Sequence, residues 1–315
     1  MVVSAKHMML ASPVFEAMLN GNFKEGRTLQ SDSRVEVPLP DDDADTFRIL
    51  LSIIHGRNRS VPRKIDLDRL VQVAVLADKY QMVEAVEAYS GAWIANLKST
   101  IPAKLCGDLG RWICIAWVFG LAAEFSSTTK TLIQQSEEDV PDGFMDYVPL
   151  PKAVFGKCKN HLSIKTIRGF ELPRLPMLTL LDDINSHRQK VIAALYGIVG
   201  EQVTSYMGPG VHCTRADNKG KTCDALVLGT LLKSATTASF WPAPSPPYTK
   251  VSFHSLYAAL HRLQVESLCD SEAAYSVFGS SAPGHGMRRL FETKSTQFVL
   301  VHLSGLSIHK YKSVT

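Results

Sequence analysis

The first hundred residues carry a succession of short apolar stripes at helical spacing, each closed by Pro, Gly or Asn before it can lengthen. His7, Met8, Ala11, Phe15, Met18 and Leu19 form the first, opened by a Ser4 cap and bent at Pro13. Asn20-Gly21-Asn22 stops it, and Glu25-Gly26-Arg27 reads as a polar connection. Asp41-Asp42-Asp43 then lies at the positive end of a stripe through Phe47, Leu50, Leu51 and Ile54 that ends at Gly56. Asp66 opens a third through Leu67, Leu70, Val71, Ala74, Val75 and Ala77, and a fourth runs through Val83, Val86, Ala88, Trp93, Ile94 and Leu97. Helices this short are marginal alone in water, so each must bury its stripe against the others. Arg34 to Leu39 alternates as an edge strand closed by Pro38. The expectation is a mainly α fold with a small β component.

Two stretches carry a family likeness. Ser12-Pro13-Val14-Phe15, with the strand and acid-capped helix that follow, and Leu76-Ala77-Asp78-Lys79-Tyr80-Gln81 resemble the BTB/POZ domain, in the divergent form found in filamentous fungi. The resemblance implies an α+β interaction domain ordered as two helices, a strand, a helix and a closing helical hairpin. It also implies that the opening strands of that domain are missing, with Val2-Val3 as their remnant. The family's homodimer is built on that strand and the first helix, which puts dimerisation in doubt.

Length and charge restrict the rest. A chain of 315 residues suits two or three packing units. The expected division is an interaction domain over 1–100, a helical extension over 101–150, a basic Pro-containing insert or linker over 151–186 and a helical C-terminal module over 187–315. Trp112 to Leu121 is about half a membrane span, so no membrane helix is expected. No secretory signal opens the chain, so its six cysteines are read as reduced thiols and the location as cytoplasmic, nuclear or both. A net charge of +4, scattered among acids, does not favour nucleic acid. The one basic run, Lys152 to Arg174, reads as an insert, with an arm for nucleic acid or an acidic partner as the competing reading.

Candidate chemistry is sparse. Cys213, Cys223, Cys269 and His285 offer four ligands of the type zinc takes, but as singletons, without the C-x-x-C pairs of most structural sites. Lys219-Gly220-Lys221 could turn the first two together, while buried thiols and a surface His explain the same residues. His7, His55 and His187 have no evident nucleophile or orienting carboxylate. There is no G-x-S-x-G elbow, phosphate loop or H-E-x-x-H helix. Gly279-Ser280-Ser281 reads as loop, and the proline run from Trp241 to Tyr248 as a rigid connector rather than a polyproline ligand.

The reading is a non-enzymatic protein-interaction protein, an adaptor or scaffold without cofactor. Where the resemblance places contacts, Met8, Met9, Val14 and Met18 with Arg57, Arg59 and Arg63 would meet a partner protein. That partner would be a cullin-type ligase scaffold or a second copy, although Ile53-Ile54-His55-Gly56 lacks the Tyr-Thr-Gly end of cullin adaptors. The competing class is a metal-stabilised nucleic-acid or chromatin binder using the basic run and the Cys/His set.

Overall fold

Each of the four apolar stripes is helical in the structure, a computed structural model that describes residues 1–21, 23–141, 177–214, 218–269 and 285–312. The first stripe breaks, as Pro13 requires, into α1 (Ala5–Ala11) and α2 (Pro13–Leu19). Ser12 ends one and caps the other, its hydroxyl accepting from Phe15 N at 3.2 Å, while Pro13 sits at the helix start, where its missing N–H costs nothing. Ser4 stands at the first N-terminus but its side chain makes no capping bond; its backbone N–H donates to His55 Nε2 at 3.0 Å.

The next segment differs from expectation. Glu25-Gly26-Arg27 lies inside α3 (Lys24–Asp32), which ends on Ser33 in the left-handed region at φ 58°. Gly26 is there for space, since a Cβ on it would stand 2.3 Å from Gly21 N. Arg34 to Leu39 keeps its alternation, with Val35, Val37 and Leu39 half-buried and Arg34, Glu36 and Pro38 exposed. It forms no ladder, and no β-strand occurs among the described residues, so the fold is mostly helical. A strand needs a neighbour for its N–H and C=O groups.

α4 (Ala44–Ile54), α5 (Leu67–Lys79), α6 (Val83–Leu97) and α7 (Gly107–Val118) complete this scaffold. α5 is the hub: it packs on α4, α6 and α7, which is why Leu70, Val71 and every residue from Val73 to Ala77 are buried. Trp93 donates from Nε1 to Pro62 O at 2.9 Å and pins the loop before α5. Trp112 and Trp117 project from α7 into the core, Trp117 against Phe125 of α8 (Ala122–Gln135).

The chain divides into two compact units. Their described residues are those of Met1–Thr129, of Pro141–Leu178 and from Leu306 onward in the first, and those of Lys130–Val140 and Thr179–Gly305 in the second. The second unit is built on α9 (Met177–Met207), whose buried stripe includes Leu180, Leu181 and Ile184. Asn185 accepts from Val140 N at 2.7 Å and donates to Val140 O at 3.1 Å. α10 (Gly220–Thr237), α11 (Phe253–Leu260) and α12 (Met287–His302) follow, then the short α13 (His309–Lys312). The proline run connects α10 to α11, and Tyr248 at its end packs on Tyr196, 5.6 Å between ring centres. Among the described residues no helix is long and apolar enough to cross a membrane.

Candidate docking face and candidate metal centre

The residues of the family likeness meet at one point in the first unit. Tyr80 stacks on Phe15 at 4.9 Å and sets its edge against Phe47 at 5.6 Å. Its hydroxyl donates to Asp42, and its carbonyl accepts from Ser12 Oγ. Burial first, and then the Asp42 carboxylate, push the Tyr80 phenol well above its ordinary range. Lys79 pairs with the same Asp42 at 2.5 Å. Gln81 turns the chain at φ 50° so that Met82 N reaches Ala77 O at 2.8 Å. The two sequence motifs are therefore halves of one structural joint between α2, α4 and α5.

This joint is interior, and it sorts the expected contact residues. Met8 is 3% exposed and belongs to the core, so it cannot meet a partner. Met9, Val14 and Met18 are half-buried, while Arg57, Arg59 and Arg63 are exposed. The residue missed from sequence is Leu10, 89% exposed one position off the buried stripe; an apolar residue outside its helix's own stripe was the available signal. Val2 and Val3 are also exposed, and Lys6, Met9, Leu10, Glu16 and Asn20 line a shallow groove. The basic loop is held from beneath by Val61, 6% exposed, and by the Trp93 bond, with Asn58 accepting from Tyr89 Oη at 2.8 Å.

The histidines have structural partners. His55 is held by Leu51 O at Nδ1, 2.9 Å, and by Ser4 N at Nε2, and stacks on His7 at 5.2 Å. His187 Nε2 lies 2.9 Å from His302 O. Asp43, one of the three acids before α4, caps that helix by accepting from Thr46 N at 2.8 Å. The basic run Lys152 to Arg174 and Gly279-Ser280-Ser281 lie outside the described residues.

In the second unit the four scattered ligand types converge. Cys213 lies in the loop after α9, Cys223 in the first turns of α10, Cys269 beyond α11, and His285 directly before α12. Their donor atoms all lie within 4.8 Å of one another. Cys213 Sγ is 3.5 Å and Cys223 Sγ 3.8 Å from Cys269 Sγ, and Cys223 Sγ is 3.2 Å from His285 Nε2. The three sulfurs are buried with Leu268 against them. Gly220 makes the approach feasible, since a Cβ there would stand 3.1 Å from Cys213 O. Burial, followed by the hydrogen bonds of Cys213 and Cys223, pushes the Cys269 thiol up to about 12.

Two further residues surround this cluster, and sequence reasoning named neither. Tyr206, at the end of α9, sets its hydroxyl 2.8 Å from His285 Nδ1. Asp224 holds His212 N through Oδ2 at 2.6 Å, while its buried Oδ1 has no hydrogen-bond partner among the described residues and lies 4.0 Å from His285 Nε2. Nothing in their local sequence distinguishes either from an ordinary helix residue.

Residues 3–97 match the family model of the BTB/POZ domain. That stretch is a BTB/POZ domain, of a kind that binds other proteins or copies of itself and is not catalytic. No curated protein and no solved structure matches the chain.

Proposed function

We propose that the protein is a non-catalytic adaptor or scaffold that docks a second polypeptide through its first unit, on the face made by α1 and the residues before it. The observation that carries this reading is Leu10, 89% exposed within a segment that matches an interaction domain. A long apolar side chain in water, flanked in its shallow groove by Lys6 and Glu16, is what a partner would cover. The Arg57, Arg59 and Arg63 loop adds a rigid basic rim suited to acidic residues on that partner. A second copy of the chain is one candidate occupant. A cullin-type scaffold is a further candidate, in which case His55, engaged at both ring nitrogens, would act by shaping the α1 entry rather than by touching the partner.

Leu10→Glu tests this without disturbing the core. Sedimentation of the full chain over a concentration series, and retention of the chain's cellular partner, should both weaken by about tenfold or more, equivalent to about 1.4 kcal/mol. Cross-links in the wild-type complex should include Lys6. Unchanged association in the variant, with cross-links confined to other surfaces, would overturn the assignment.

A further inference from the structure

Four soft or imidazole donors far apart in sequence meet in the second unit, and their spacing is that of a coordination shell. A tetrahedral ion with metal–sulfur bonds of about 2.3 Å and a metal–nitrogen bond of about 2.0 Å holds its sulfurs about 3.8 Å apart, and sulfur about 3.5 Å from nitrogen. Of the six separations, Cys213–Cys269 is 3.5 Å, Cys223–Cys269 3.8 Å and Cys223 Sγ to His285 Nε2 3.2 Å, and all four donor atoms lie within 4.8 Å of one another, a cluster that a small inward shift closes around an ion. Neutral thiols gain little from such crowding, because S–H is a weak donor and sulfur a weak acceptor.

The surroundings point the same way. Coordination through His285 Nε2 leaves the ring proton on Nδ1, where Tyr206 Oη stands at 2.8 Å to accept it. A partner on the far ring nitrogen is what orients a metal-bound imidazole. Asp224 sets its buried Oδ1 4.0 Å from Nε2, on the edge of the same cluster.

We infer that Cys213, Cys223, Cys269 and His285 bind a single zinc ion in a closed, structural Cys3His site that ties the loop after α9 to the starts of α10 and α12. Four protein ligands leave no open position for substrate, and three buried sulfurs suit zinc over the hard cations. On binding, each thiol gives up its proton to solvent as its metal–sulfur bond forms, so no oxidant or reductant is needed.

Full-length protein purified under reducing conditions should retain about one zinc ion per chain by elemental mass spectrometry. Cobalt(II) added to chelator-stripped protein should give the visible bands of a tetrahedral, thiolate-rich centre. Cys223→Ala and His285→Ala should each lose the metal, and Cys114→Ala, in the other unit, should keep it. Because loss of a core thiol can unfold the unit by itself, His285→Cys is the deciding variant: it restores four ligands, should hold zinc, and should strengthen the sulfur-to-cobalt charge-transfer band. Tyr206→Phe should weaken zinc affinity about 10- to 100-fold with the cobalt geometry unchanged. Folded wild-type protein that carries no zinc and gives only octahedral cobalt spectra, or that forms a Cys213–Cys269 disulfide under the same conditions, would overturn the site.

Discussion

Asp42 and Asp43 are neighbours in sequence and serve different joints. Asp42 faces inward, its side chain 2% exposed, and takes Lys79 and the Tyr80 hydroxyl. Asp43 caps α4 and also accepts from Thr46 Oγ1 at 2.6 Å and from Arg69. The Thr46 bonds, ahead of the Arg69 charge, hold the Asp43 carboxyl below its ordinary value of 3.8. A carboxyl depressed by folding stabilises fully above its unfolded value and loses that contribution as pH falls through the folded one. Asp43→Asn keeps a capping oxygen but not the charge, so its urea midpoint should fall below wild type at about pH 6 and converge with it towards about pH 2. Both proteins share the Lys98–Glu124 pair, which also depresses a carboxyl, so only the difference between them reports Asp43. A constant difference across the pH series would show that the charge is irrelevant. At this scale the sequence was partly legible. Acids before an apolar stripe announced a cap, whereas the division of labour between Asp42 and Asp43 depends on residues 26 to 38 positions away.

Among the helices, those with a strong stripe were readable and those shaped by close approach were not. α4, α5 and α6 follow from apolar spacing because their buried faces are wide, and α5 is covered on nearly every side. α3 was hidden because Gly26 looks like a breaker and the segment has little apolar content, its only buried residue being that glycine. Its φ is ordinary; what fixes it is the Gly21 backbone at 2.3 Å from a would-be Cβ. Gly26→Ala raises helix propensity yet should destabilise the first unit by about 1–3 kcal/mol, through forced separation of α3 from the α2 turn. Thermal unfolding checks this, and a variant as stable as wild type would mean that the turn relaxes freely. The alternating segment before α4 shows the converse limit, since period-two spacing records which residues face inward and cannot state whether a neighbouring strand exists.

For the molecule as a whole, a buried cation and a gathered ligand set organise the second unit. The Arg188 side chain is wholly enclosed and donates to Ser136 O, Glu137 O, Tyr248 O and Val251 O, with Asp139 at 3.1 Å. Burial lowers its pKa, and the Asp139 charge opposes that shift. Lysine cannot reproduce this planar fork, so Arg188→Lys should cost about 3 kcal/mol or more, read as a lower denaturation midpoint. Equal midpoints would show that the carbonyls find other donors. Neither the arginine hub nor the convergence of Cys213, Cys223, Cys269 and His285 could be read from local pattern, because the chain brings them together only through packing over 10 to 72 positions. Sequence supplied the residue types, and the fold supplied the proximity.

The first unit encloses one interior of stacked helix faces, and we propose that its α1 side meets a partner. Hydrogen–deuterium exchange on the full chain, free and bound to the polypeptide it retains, tests this most directly. Residues 70–77 of α5 should exchange most slowly in the first unit, and new protection on binding should appear over residues 2–20. Rapid exchange throughout α5 in the free chain, or protection on binding that spares residues 2–20, would contradict it.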